Sequence, residues 1–418
     1  DWSSDVCSSD LAKIAVIGSG ISGLTSAYLL AQKHQVTVYE ANDYLGGHTH
    51  THLIELAGKT LAVDTGFIVY NDRTYPNFIR LLEKLGCSGR PTEMSFSVKR
   101  PGLEYNGHNV NALFAQRSNL VNVKFLGMLR DILRFNRTVS AIGSDDRRSL
   151  GEYLSDEHYG TAFREDYLIP MTAAIWSTGD ADVIHFPIRS LAQFFVNHGL
   201  VDLKNRPQWR VVTGGSHSYV KAMQSQIGEV KLGSPVDRIE RAAEHVLVRS
   251  KGQEHRYDEV IIAVHSDQAL GLLGDPSLAE LEVLSPMRYC SNEVTLHTDS
   301  SLLPKRKLAW ASWNYDAGLQ KEKATLTYNM NILAGIESNK DVLVTLNDEG
   351  KIDPTKILRT ARYDHPVLNQ QMIESQDRHA EISGVNRTHY CGAYWRYGFH
   401  EDGVVSALDV CKKFRVGL

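Results

Sequence analysis

Residues 13–40, KIAVIGSGISGLTSAYLLAQKHQVTVYE, read as strand, tight turn, helix and second strand, and no other stretch constrains the fold so tightly. Ile14, Val16 and Ile17 make a short apolar strand of the kind buried on both faces of a parallel sheet. Gly18, Gly20 and Gly23 follow at G-x-G-x-x-G spacing. The first glycine permits the turn, the second lets the backbone approach a pyrophosphate, and the third lets the helix lie close to the strand. Phosphates would sit at the helix tip beside Ile21 and Ser22, where unsatisfied N–H groups and about half a positive charge hold an anion without a basic side chain. Leu24, Ala27, Tyr28 and Ala31 recur at helical spacing, and the second strand ends at Glu40, 20 residues after Gly20, with Ala41 next. A carboxylate there accepts hydrogen bonds from ribose hydroxyls and repels a 2′-phosphate, so the segment predicts a dinucleotide site that disfavours NADP.

The chain has 418 residues and a formal charge of −4. Its length exceeds the ~250–300 residues at which one core stops growing, so two domains or interleaved lobes are expected. A near-neutral balance supplies no counterion-release drive toward nucleic acid. No run approaches the ~18–20 apolar residues of a membrane span, and the longest candidate, VIIAV at 260–264, suits a buried strand. Cys7, Cys87, Cys290, Cys391 and Cys411 show neither a C-x-x-C pair nor zinc-ligand spacing, which predicts a reduced, cytoplasmic setting. DWSSDVCSSD at the start lacks the regions of a signal peptide, and residues 1–11 read as a non-native or disordered leader.

After Glu40 a plain NAD domain would continue with another crossover helix, but a Gly46–Gly47 pair arrives instead, followed by THLIEL and KTLAVD as a hairpin around Ala57 and Gly58. At this point the chain resembles the FAD-binding fold shared by flavin amine oxidases and phytoene desaturases. The glycine triplet with Glu40, the Gly46–Gly47 pair and the Asp64-Thr65-Gly66 turn carry the resemblance, together with SPVDRIER at 234–241, YDEVIIAV at 257–264 and CGAYWRYGFHEDGVVSAL at 391–408. MSFSVK, PMTAAIWS, RPQWRVVTGGSHSYV and GAYWRYGFHEDG are similar to a bacterial group of NAD/FAD-binding oxidoreductases often encoded beside cyclopropane-fatty-acyl synthase-type methyltransferases. The resemblance implies an α/β architecture: a Rossmann-like FAD-binding domain with a β-meander, built from 12–78, 205–270 and 385–418, and an inserted α+β substrate domain from 79–204 and 271–384. It implies noncovalent FAD held by Gly18, Gly20, Ile21, Ser22, Gly23, Glu40, Ala41, Gly46, Gly47, His48, Thr65, Gly66, Phe67, Val236, Gly392, Ala393, Glu401, Gly403 and Val404. By the family pattern Val404 offers a backbone N–H to the flavin N1–C2=O edge, and such a donor would stabilise the negative charge of reduced flavin.

His48, His50 and His52 stand two apart, so on a strand they would share a face; with no nearby carboxylate or cysteine, no metal site is expected, and His48 reads as a phosphate or flavin neighbour. Gly66 is expected to leave room for the isoalloxazine ring. Gly214 and Gly215 offer a second glycine-rich helix start, equally readable as a plain cap. Glu401-Asp402-Gly403 caps the last helix, and Tyr394 and Trp395, with Tyr397, are the candidate catalytic pocket wall. The family's flavin-facing lysine should fall in YCSNEVTLH, where Asn292 and Glu293 stand instead.

Hydride transfer to a flavin asks little of side chains beyond aligning a C–H bond and excluding water. The chain therefore reads as an FAD-dependent oxidoreductase acting on a small hydrophobic or lipid substrate, an unsaturated or methylated fatty acyl chain. A flavin amine oxidase and an FAD-dependent double-bond isomerase with no net redox change are the alternatives. Residues 120–137 form a basic amphipathic helix in which Phe125, Leu126, Leu129, Ile132 and Leu133 make one apolar stripe. It is expected to pack on the substrate-domain core, with peripheral contact to an anionic membrane as the other reading.

Overall fold

The computed structural model describes residues 11–202, 204–318 and 322–418. Residues 1–10, Cys7 among them, which the sequence reading assigned to a leader, lie outside the described residues. Five parallel strands run in the order Glu229–Lys231, Gln35–Tyr39, Lys13–Ile17, Glu259–Ile262 and Thr388–Tyr390. Lys13–Ile17 sits in the middle because Ile14, Ala15 and Val16 are fully buried and can be covered only from both faces. Helix Ile21–Leu30 is buried along its whole length, and the final helix, His400–Lys413, lies against it.

The Ala57–Gly58 turn was legible in advance. Strands Thr51–Leu56 and Lys59–Asp64 pair through Ala57 and Gly58, both at positive φ (51° and 76°), as a two-residue hairpin whose twist matches its strands requires. Strands Val236–Arg241, Val246–Ser250 and Gln253–Tyr257 form the predicted meander, turning at Lys251 and Gly252 in the same way. The second large sheet has seven strands in the order Ile357–Pro366, Tyr289–His297, Leu343–Leu346, Leu326–Asn329, Trp313–Asp316, Phe96–Arg100 and Leu103–Asn106.

Phe78, Leu81 and Leu82 of helix Pro76–Lys84 share a core with Ile14 and Val16, and strand Gly89–Pro91 pairs with Trp209–Val212. Two expectations change. In helix Val123–Thr138 the inward residues are Phe125, Met128 and Phe135, with Leu129 and Ile132 packed beside them, whereas Leu126 and Leu133 face outward. His48 and His50 precede the hairpin, whose first strand begins at Thr51, so the three histidines do not share one strand face.

Candidate active site

The glycine bend has the geometry that a pyrophosphate needs. Gly18 has φ +97°, and a Cβ there would lie 2.9 Å from the Ala263 carbonyl oxygen. A Cβ on Gly23 would collide with the Gly18 carbonyl, so helix and strand are in direct backbone contact. Gly20 is the opposite case: a Cβ would meet nothing within 4 Å. It leaves open space at a helix tip that has no side-chain cap and no acid in its first turn. Gly47 packs its backbone on Gly20, and Gly46 donates its N–H to Ser19 O at 3.1 Å.

Glu40 is buried, and its carboxylate accepts from Ser19 N (3.0 Å), Ser19 Oγ (2.5 Å), Asn42 N (2.8 Å) and Asn42 Nδ2 (2.9 Å). Those four bonds match the capacity of a carboxylate, so a ribose hydroxyl enters by replacing one donor; the Asn42 amide, beside exposed Ala41, is the most accessible. The Glu40 carbonyl accepts from Ser234 N at 2.7 Å, which brings the start of the Val236 strand to this end of the site.

The closing segment meets the bend. A Cβ on Gly403 would lie 2.6 Å from Ile21 Cγ2 and 3.0 Å from Ser22 Oγ, so the last helix rests on the tip of the first. Gly392 N donates to Ser406 Oγ at 3.0 Å, fixing the turn Ala393–Trp395 above that helix. Trp176 Nε1 donates to the Tyr397 carbonyl (3.1 Å) and Tyr397 OH to Gln193 Oε1 (3.2 Å), tying the segment to the helices of the second lobe.

Between these elements lies a cavity of about 670 Å³, within the ~300–1,000 Å³ usual for ligand sites. One end is lined by Gly20, Ile21, Ser22, Gly46, His48, Gly66, Phe67, Gly392, Ala393 and Tyr394. The other is walled by Phe96, Tyr105, Met171, Trp176, Phe194, Trp313 and Tyr328. Tyr167, in the π-helical turn Arg164–Leu168, also lines it. Among the described residues the charged lining is Glu93, Arg206 and Asp364, with no lysine.

Four histidines that sequence reasoning did not assemble converge on this cavity: His48, His265, His365 and His400. Burial holds His48 well below the ordinary imidazole range and lowers His265, and it brings His365 to about 4 and His400 to about 3. All four are neutral at pH 7. The His48 and His365 rings lie 5.2 Å apart, and His48 Nε2 has no partner in the protein. His400 Nε2 pairs with Tyr219 OH at 2.5 Å, and its ring stacks on Phe67 at 3.6 Å.

The hydrogen position on His365 follows from its neighbours. Asn347 Oδ1 accepts from the Glu293 N–H (3.1 Å), so its amide nitrogen donates, to the Ala324 carbonyl (2.9 Å) and to Asn292 Oδ1 (2.8 Å). Asn292 Nδ2 then donates to the Cys290 carbonyl (3.2 Å) and to His365 Nδ1 (3.0 Å). With Nδ1 accepting, the ring hydrogen is on Nε2 of a ring that lines the cavity. Asn292, found where the family's lysine was expected, thus orients a histidine.

Several sequence readings need correction. Trp395 does not line the cavity; it packs on His379 at 4.2 Å, leaving Tyr394 and Tyr397 as the wall. Glu401 spends both oxygens on the start of helix Pro76–Lys84, accepting from Asn77 N (3.0 Å), Asn77 Nδ2 (2.7 Å) and Phe78 N (2.8 Å). Helical bonding of the last helix begins with Gly403 N to Phe399 O, so the free N–H groups at its tip belong to the residues before Val404, and Val404 is fully buried in the core. Gly66 is required by the His48 carbonyl, with which a Cβ would collide. Thr65 bonds Tyr363 OH at 2.8 Å, and Gly18, Gly23, Gly47 and Val236 support the site from outside the cavity lining. Asp64 accepts from Ser216 N (3.0 Å), so the Gly214–Gly215 start is a capped helix. His50 stacks on Tyr44 at 4.0 Å and lies 4.1 Å from His52; among the described residues no three His, Cys, Asp or Glu side chains are arranged to hold a metal.

With this geometry in hand, comparison with known proteins identifies the class. Residues 21–330 match the family model described as flavin containing amine oxidoreductase. The chain is 22% identical over 331 residues to an L-amino-acid oxidase of Siganus canaliculatus, covering 69% of this chain and 57% of that protein's length. Its fold is similar to cyclohexylamine oxidase from Brevibacterium oxydans (TM-score 0.67, 16% identity, 96% and 98% of the two chains). It is equally similar to a CLA-producing fatty acid isomerase from P. acnes (TM-score 0.69, 14% identity, 97% and 99%). The chain belongs to the flavin-containing amine oxidoreductase family, FAD-dependent enzymes of the amine oxidase and desaturase type. The open tip at Gly20 and the long cavity leading from it fit that cofactor. No helix among the described residues is long and apolar enough to cross a membrane.

Proposed function

We propose that this chain binds FAD noncovalently and oxidises a hydrophobic substrate, an unsaturated or methylated fatty acyl chain, by hydride transfer between a substrate carbon and the flavin. The observation that carries this reading is the wall of the distal cavity, in which aromatic and aliphatic side chains predominate over the polar Thr92, Ser95, His108, Ser177, His198 and Gln208, with charge confined to Glu93, Arg206 and Asp364. Bound flavin supplies the two-electron acceptor. The chain supplies binding, orientation and exclusion of water: burying about ten methylenes against this wall contributes ~8 kcal/mol of gross drive. His365 presents an N–H donor beside it, and the neutral histidines add no formal charge to the deep end, where Asp364 is the charged neighbour. Noncovalent binding is supported by Cys391, whose sulfur faces Ser26 Oγ at 3.7 Å and whose thiol burial pushes up to about 12, leaving no thiolate to attack a ring.

The relatives that oxidise amines make amine oxidation the second reading, with isomerisation the third. Purified protein should be yellow, carry copurifying fatty acid by mass spectrometry, and bleach under anaerobic mixing with an unsaturated acyl substrate. Hydrogen peroxide release with amines instead would move the assignment to amine oxidation. Product formed with no acceptor consumed would move it to isomerisation, and a colourless protein unable to take up FAD would end it.

A further inference from the structure

We infer that residues 110–137, with the turn Lys307–Ala309 beside them, form a docking face for a bilayer rich in anionic lipid, set at the mouth of the cavity. The inference gains its purpose from the proposed acyl substrate. The outward row of helix Val123–Thr138 is Val123, Leu126, Arg130, Leu133 and Arg137, spaced three and four residues apart and therefore on one face. Val123 is 83% exposed, Leu126 42% and Leu133 43%. Just before them Val110, Leu120 and Val121 are exposed by 74%, 54% and 81%, and Leu308 joins through the packing of Lys307–Ala309 on Val110–Leu113. A helix lying on a soluble core carries polar residues outward; this one alternates apolar and cationic ones.

The charge is segregated as well. Residues 107–143 contain Arg117, Lys124, Arg130, Arg134 and Arg137 but a single acid, Asp131, in a chain with 49 acidic against 45 basic residues. Asp131 is buried and accepts from Gly160 N at 3.0 Å, with Arg130 and Arg134 beside it. Arg134 lies over the Tyr159 ring at 3.8 Å, and Arg117 bonds Asn111 and Phe114, which leaves Lys124, Arg130 and Arg137 facing outward. Arginines placed singly between aliphatic side chains can extend to phosphates while their neighbours enter the acyl boundary, an arrangement suited to a lipid surface rather than to the apolar centre and polar rim of a protein interface.

The face adjoins the cavity. Gly107 and His108 line the cavity and lead directly into Val110, and Tyr105, also lining it, packs on Phe125 of the helix at 5.5 Å. His108 and Glu93 have side chains 45% and 39% exposed and mark the opening.

Flotation of the FAD-loaded protein with phosphatidylcholine vesicles, with or without phosphatidylglycerol, tests the proposal. Binding is expected only to the anionic vesicles and should be released by salt. Arg130→Glu with Arg137→Glu should weaken it roughly tenfold or more, and Val121→Ser with Val123→Ser and Leu126→Gln should abolish it. Unchanged flavin absorbance and melting temperature confirm that these surface variants are folded. Protein that stays below the anionic vesicles overturns the proposal, as does binding indifferent to both variants, or a dimer in ultracentrifugation that the apolar variant splits. Failed flotation leaves the acyl-substrate reading standing, and an amine substrate leaves flotation standing.

Discussion

At pH above its titration, Asn292→Asp should turn the neutral His365 ring from a hydrogen-bond donor into an acceptor at the cavity wall. In the native site Asn292 Nδ2 donates to Nδ1 at 3.0 Å; an aspartate there offers only acceptors, so the imidazole must move its hydrogen to Nδ1 and show a lone pair to the cavity. Burial brings the native ring from 6.5 to about 4, a penalty on the charged form of about 3 kcal/mol. A carboxylate 3 Å away at an effective dielectric of about 20 favours the imidazolium by about 5 kcal/mol. Even after the aspartate's own burial takes back part of that, His365 should titrate near or above its ordinary range. Long-range proton–nitrogen correlation spectra of histidine-labelled protein, with His365→Gln identifying the resonances, read both the tautomer and the titration. Native spectra placing the hydrogen on Nδ1, or an Asn292→Asp spectrum unchanged from the native one, would refute the hydrogen-bond chain from Asn347. If the donor stabilises charge developing on flavin or substrate, the same variant assayed above the His365 titration should lower kcat by ~10²–10³ with a smaller change in KM, and the loss should shrink as the ring becomes protonated.

Gly20→Ala should leave the melting temperature of flavin-free protein nearly unchanged, because the added Cβ enters open space, while absorbance of bound flavin is lost; a variant that unfolds would show the space is not free. Glu401→Ala uncaps helix Pro76–Lys84 and should cost roughly 1–3 kcal/mol in denaturant titration while flavin content is retained, and a flavin-free but stable variant would return Glu401 to the cofactor. Stability should fall as pH drops from about 6.5 toward 4. His50, His198, His297 and His365 sit at about 4 and His400 at about 3, so the unfolded chain takes up their protons first, by up to ~1.4 kcal/mol per group per pH unit where the group is deeply buried. Asp402, raised to about 7, and Asp166, raised to about 6, oppose the trend because they bind protons in the folded state. A melting temperature that rises between pH 7 and 5 would show that the two carboxyls outweigh the five imidazoles.

What could be read from the sequence was what short-range geometry dictates. The glycine bend and the Ala57–Gly58 hairpin each need particular residues within a few positions, so spacing alone revealed them. Glu401 escaped because its partner, Phe78, is 323 residues away, and an acid at a helix start reads first as its own helix's cap. His365 and Asn292 come together through the register of two antiparallel strands, Asn292 opposite Tyr363, which no local pattern encodes. In the 123–138 helix apolar residues occupy both faces, so periodicity drew a stripe through Leu126 and Leu133 that packing splits. Trp395 and Tyr394 are neighbours on a tight turn, and only one can face the cavity.

Because Gly403 rests on Ile21 and Glu401 holds the start of another helix, the floor of the cavity is completed by residues made long after the glycine bend. Ser26 waits 365 positions for its contact with Cys391, so the nascent chain must keep the bend unfinished, or shielded, over that whole span. Flavin capture then has to follow synthesis of helix His400–Lys413, and a ribosome stalled short of that helix would carry a chain that is long, largely structured and colourless.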